Sequence, residues 1–162
     1  MAETKGSLVP AASLQDVVLV MDVPVGTWTA YIHRWTGDVV TITESDLVLE
    51  DPGPENWDLV EYMRESVASA RAVVESEDYL VLPGRFEIRE YDIMERFIAV
   101  MQDRSLKEEL HRAIRGRRAF RCFRDVVRGR GLLEPWFLFR QHAVEEIAAR
   151  WLEANRIAYR RP

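Results

Sequence analysis

Apolar and polar positions follow a strand-like pattern in only a small part of the chain. Trp28–Trp35 and Val39–Thr43 are rich in β-branched and aromatic residues, and Thr36-Gly37-Asp38 between them puts a glycine where the chain must reverse. This predicts an antiparallel hairpin over 28–43. Alternation places Trp28, Ala30 and Ile32 on one face and Tyr31, His33 and Trp35 on the other. Both faces are partly apolar, so helices are expected to cover at least one. A third short strand is expected near 79–82, where the run Tyr79–Leu82 is stopped by Pro83-Gly84.

Elsewhere the spacing is helical. Ser13 with Asp16 three positions later reads as a helix start, favoured over a strand for the β-prone run Val17–Met21. After the turn Asp51-Pro-Gly-Pro54, the positions Leu59, Met63, Val67, Ala70 and Val74 make one stripe of a helix from about 56 to 77. Tyr91, Met94, Phe97, Ile98 and Met101 form a further apolar face. Ser105 with Glu108 reads as a capping box for a helix carried by Leu106, Leu110 and Ile114 and stopped at Gly116. The last helix is expected from Glu134-Pro135 to about Asn155, burying Trp136, Ala143, Val144, Ile147 and Trp151.

Between them lies an amphipathic segment. At 100° per residue, Ala119, Phe120, Phe123, Val126 and Val127 gather on one side, and Arg117, Arg118, Arg121, Arg124 and Arg128 on the other. Gly129 and Gly131 end it. The fold class is therefore α+β: a small antiparallel sheet packed with about five or six helices, with a helical C-terminal half. Residues 1–12 read as a disordered tail and 13–162 as a single α+β domain.

Charge sharpens the picture at the arginine segment. Residues 1–110 carry 22 acidic and 9 basic side chains, a net of −13, whereas residues 111–162 carry 13 basic and 5 acidic, a net of +8. Arg112, Arg115, Arg117, Arg118, Arg121, Arg124, Arg128 and Arg130 share a short stretch with a lone carboxylate, Asp125. Coding bias can favour arginine over lysine, but it does not sort charge by position. The 162 residues suffice for one self-contained core. The lone cysteine forms no internal disulfide and fits a reducing cytoplasmic setting. The run Val17–Met21 is too short for a membrane span or a signal peptide, so no membrane is expected.

Three segments carry a resemblance: EYDIMERFI (Glu90–Ile98), LHRAIRGRRAFRCFRD (Leu110–Asp125) and PWFLFRQHAVEEIAARWLEANRI (Pro135–Ile157). They resemble an uncharacterised family of small single-domain bacterial proteins. That family is expected to have an aromatic-acidic-Met step, a Gly-x-Gly-Ala-Phe-Arg-x-Phe-x-Asp box and a helix with tryptophan near its end. Arg118 stands where the box has a second glycine, which makes the turn after Gly116 tighter to build. The resemblance implies a bacterial protein and brings no activity, cofactor or site residue with it.

Candidate chemistry is sparse. No Gly-x-Ser-x-Gly elbow, Walker loop or Gly-x-Gly-x-x-Gly turn occurs, and no cofactor is implied. His142 with Glu145 and Glu146 puts three metal-capable groups on about one helical turn, but no second motif joins them. Cys122, beside Arg121 and Arg124, reads as a half-buried small residue at the edge of the apolar side. Glu75, Glu77 and Asp78 read as solvated. Of the five tryptophans, core packing accounts for most, and an exposed one would mark an interface. The arginine side of 117–128 is the remaining feature. It suits an acidic protein partner or self-association, with nucleic acid or another polyanion as the alternative and a motif-free enzyme a weaker one. The acidic net charge of −5 and the absence of helix-turn-helix, zinc-finger, RNP or KH signatures favour the protein partner.

Overall fold

The computed structural model describes residues 11–23, 26, 28–48 and 57–161. Its elements are β1 (Ala12–Ser13), α1 (Leu14–Met21), β2 (Trp28–His33), β3 (Val39–Thr43), a 3-10 turn (Ser45–Leu47), α2 (Trp57–Glu75), β4 (Tyr79–Val81), α3 (Glu90–Ala99), α4 (Arg104–Ala113), α5 (Ala119–Gly129), α6 (Leu133–Ala154) and β5 (Tyr159–Arg160). The architecture is α+β. Two compact units form, one within residues 1–85 and 148–162, the other from 86–147.

In the first unit the three-stranded sheet has the order β3-β2-β4, antiparallel throughout. Ile32 stands opposite Val39 on one side and Leu80 on the other. Ser13 caps α1 by accepting from the Asp16 N–H at 3.3 Å, so the local capping preference overrides the β-prone run that follows. α1 buries Leu14, Val17 and Met21; the sheet buries Ala30, Ile32 and Ile42, with Leu82 just past β4; the end of α6 buries Ala148, Ala149 and Leu152. Each Leu, Val, Ile or Met side chain among them contributes about 1.5–3 kcal/mol by leaving water, and each alanine methyl less.

The sequence pattern gives no sign of the second sheet. Ala12 and Ser13 pair in parallel with Tyr159 and Arg160, and the Ala12 N–H donates to Ala158 at 2.8 Å. Ala12, within the segment read as tail, is 1% exposed; residues 1–10 of that segment lie outside the described residues. The hairpin tip explains the arrangement. Gly37 has φ +77°, and a Cβ there would lie 2.6 Å from the Ala12 Cα, so only glycine lets the turn approach β1.

α2 carries its stripe as spaced, but Met63, Val67 and Ala70 are only half-buried and Val74 is exposed. The Trp57 and Leu59 side chains and the turn Asp51-Pro-Gly-Pro54 lie outside the described residues.

In the second unit α3 packs on α4 and α4 on α5. Ile93, Met94, Phe97 and Ile98 of α3 are buried, while Tyr91 at its start is exposed. α4 begins earlier than the expected capping box. Its N-cap is Asp103, whose carboxylate accepts from the Leu106 N–H at 3.0 Å, not Ser105. An aspartate caps as well as a serine, and the earlier start lets Arg104 pair with Glu108 at 3.1 Å across one turn. The core centres on Phe97, whose ring meets Phe123, Trp136 and Phe139 edge-on at centroid distances of 6.2, 5.2 and 5.3 Å. Phe123 and Trp136 close the cluster at 4.7 Å. Glu90 of α3 receives two hydrogen bonds from Arg140 of α6, at 2.6 and 3.0 Å. Among the described residues no helix is long and apolar enough to cross a membrane.

Candidate functional site

α5 sits on a ladder of small and large apolar positions four residues apart, Ala119, Phe123 and Val127, all buried. Its entry is the turn Arg115–Arg118, in which the Ala119 N–H donates to Gly116 O at 3.1 Å. The helix starts at Ala119, so Arg117 and Arg118 precede the helix to which the 100° spacing assigns them: Arg118 is the N-cap and Arg117 lies in the turn before it. Arg118 has φ −113° and ψ 29°, a backbone conformation open to any residue, so the missing second glycine of the box is not a source of strain. At the other end the Leu132 N–H bonds Val127 O at 2.8 Å and the Gly131 N–H bonds Arg128 O at 3.2 Å. Gly131, at φ +68°, supplies the left-handed residue of this Schellman stop.

On the opposite side, Arg121, Arg124 and Arg128 occupy positions i, i+3 and i+7 and share one face over a rise of about 10 Å. All three are exposed, as are Arg117 and Arg118. None of the five forms an ion pair with a described residue. The same segment's Arg130 behaves differently: it is held by Glu109 through Nε at 3.0 Å. An internal acidic neighbour therefore neutralises the end of the segment, while its middle keeps a net positive charge, with Asp125 its one carboxylate and no ion pair among the described residues.

Phe120 departs from the expected pattern. Phe123 is 2% exposed, but Phe120 is 52% exposed. Phe120 stands about 60° from the centre of the buried ladder and one turn before Arg124, so it borders the arginine face rather than the core. The signal was in the spacing: the buried ladder runs 119, 123, 127, and position 120 falls at its margin. Cys122 is also exposed, not half-buried, because it lies on the far flank of the same ladder.

Other candidates disperse. His142 Nδ1 lies 3.5 Å from Glu145, while Glu146 is taken by Arg96 at 3.0 Å. Among the described residues no group of three His, Cys, Asp or Glu is placed to hold a metal ion. His33 Nδ1 accepts from the Thr36 N–H at 3.1 Å and so serves the hairpin turn. Asp78 accepts from Trp35 Nε1 at 3.0 Å, which fixes an exposed tryptophan at the sheet's end.

The family model described as Uncharacterised protein family (UPF0158) matches residues 63–160 of the chain, a span that includes α5 and the arginine face. No curated protein and no solved structure matches.

Proposed function

This chain belongs to the uncharacterised protein family UPF0158, and we propose that it is a cytoplasmic, non-enzymatic interaction module whose contact face is the arginine side of residues 117–128. The partner is an acidic protein surface. One observation carries the reading: Arg121, Arg124 and Arg128 stand on one exposed helix face without an ion-pair partner among the described residues, while Arg130 is paired. Guanidinium groups placed this way meet carboxylates in bidentate fashion. Phe120 adds an apolar anchor at the edge of the face, and aromatic residues with arginine are the side chains that dominate binding energy at protein interfaces.

Nucleic acid is the second reading, favoured by the same exposed guanidinium groups and a ring that a base can stack on. Two columns separate them. Immobilised poly-glutamate retains the protein at low salt and releases it as salt rises, with weaker retention on generic double-stranded DNA. Stronger retention on DNA moves the assignment to nucleic acid. Flow-through on both at low salt overturns the module altogether.

A further inference from the structure

The first unit holds a second surface, unrelated to the arginines. Among the described residues β3 is an edge strand. The His33 N–H bonds Asp38 O at 2.9 Å, which fixes the alternation of the ladder: Val40 and Ile42 turn their backbone groups toward β2, and Val39, Thr41 and Thr43 turn theirs to the open side. Thr43 is already satisfied there, its N–H donating to the Asp46 carboxylate at 2.6 Å. Val39 and Thr41 remain, each with one N–H and one C=O directed outward.

Those two residues line a cleft of about 560 Å³ whose other wall is α1, through Asp16, Leu19 and Val20. Leu19 is 67% exposed although it stands on a helix beside an open sheet edge. Asp38 and Arg160 complete the charged lining. Neither Asp16 nor Asp38 forms an ion pair with a described residue, and two carboxylates outnumber the one guanidinium. Gly37, forced by the close approach to Ala12, holds the strand's start in place beside this cleft.

We infer that the cleft between β3 and α1 binds an extended segment of a protein partner by strand addition. The segment bonds Val39 and Thr41 through its backbone, lays an apolar side chain against Leu19 and Val20, and directs a lysine or arginine to Asp16 and Asp38. An unpaired edge flanked by a helix selects an extended chain, because only a strand matches outward N–H and C=O groups at β spacing. The local excess of carboxylate sets the sign of the side chain.

The test selects random displayed peptides against the full chain and titrates the enriched peptide into isotope-labelled protein. The enriched sequences alternate apolar and polar residues and carry a basic side chain. Binding slows amide exchange at Val39 and Thr41 about ten-fold or more. Thr41→Pro, which removes an outward N–H while leaving the bonds to β2 intact, weakens binding about ten-fold. Leu19→Ser, on an exposed side chain and without added charge, weakens it as well and serves alone if the proline variant fails to fold. Three results overturn the inference: no peptide is enriched; the peptide binds both variants as tightly as the wild type; or the Val39 and Thr41 amides of the free protein are protected in a concentration-dependent way, which would put a second copy of the chain on the edge.

Discussion

Gly37 and Gly131 both adopt positive φ, but only Gly37 is also crowded. Gly37→Ala therefore combines a left-handed alanine with a clash against the Ala12 backbone and lowers stability by about 2 kcal/mol or more. Gly131→Ala, with nothing within 4 Å of the new Cβ, costs only about 1 kcal/mol. Paired melting curves check the difference. Arg156 presents the reverse case: it holds φ 58° at the end of α6 without being glycine, so Arg156→Gly raises stability by about 1 kcal/mol. At Asp46, the backbone N–H and then the hydroxyl of Thr43 hold the carboxyl below its ordinary value of 3.8. A lowered folded pKa means the contact stabilises at pH values above the unfolded pKa and is lost as pH falls through the folded one. The melting difference between wild type and Asp46→Asn is thus present at about pH 7 and shrinks below about pH 4; a constant difference contradicts the assignment. The turn glycine was legible from Thr36-Gly37-Asp38. Its crowding was not, because Ala12 comes from a distant part of the chain.

Helices and strands with a long repeat were readable: the hairpin, α2, α3 and α6 lie where their spacing put them, within a few residues. The pair β1 and β5 was not, since two-residue strands joined across almost the whole chain leave no period to detect. The start of α4 was misplaced for a different reason. Asp103 and Ser105 are both good caps, and propensity alone does not choose between them. α5 shows how far the 100° spacing reaches. It assigned Phe123 and the arginines to opposite sides, and it misassigned Phe120, which sits at the margin of the buried ladder. The two rings should therefore separate by experiment. Phe123→Ala, cut from the cluster with Phe97 and Trp136, costs about 3–5 kcal/mol and is read as a large fall in melting temperature. Phe120→Ala leaves the melting temperature nearly unchanged and weakens binding of an acidic partner. A large loss of stability at Phe120 would return that ring to the core.

Across the whole molecule, the sorting of charge was the most legible feature: −13 over residues 1–110 and +8 over 111–162. What the sequence left open was whether the arginines are neutralised inside the protein, because that depends on which carboxylates the fold brings near them. Glu109 reaches Arg130, and no described carboxylate pairs with Arg121, Arg124 or Arg128. The acidic part of a second copy is one surface such a face can meet. Light scattering at low salt should then give a mass above 18.8 kDa that falls to 18.8 kDa as salt rises, and a monomer at every salt concentration excludes the second copy. The central claim is that these guanidinium groups serve a partner and not the fold. It is tested most directly by titrating poly-glutamate into wild-type protein and the double variant Arg121→Glu, Arg124→Glu, with the unfolding midpoint of each recorded alongside. The expected result is a binding isotherm for the wild type, none for the variant, and the same midpoint for both; a variant that unfolds, or one that binds as the wild type does, contradicts it.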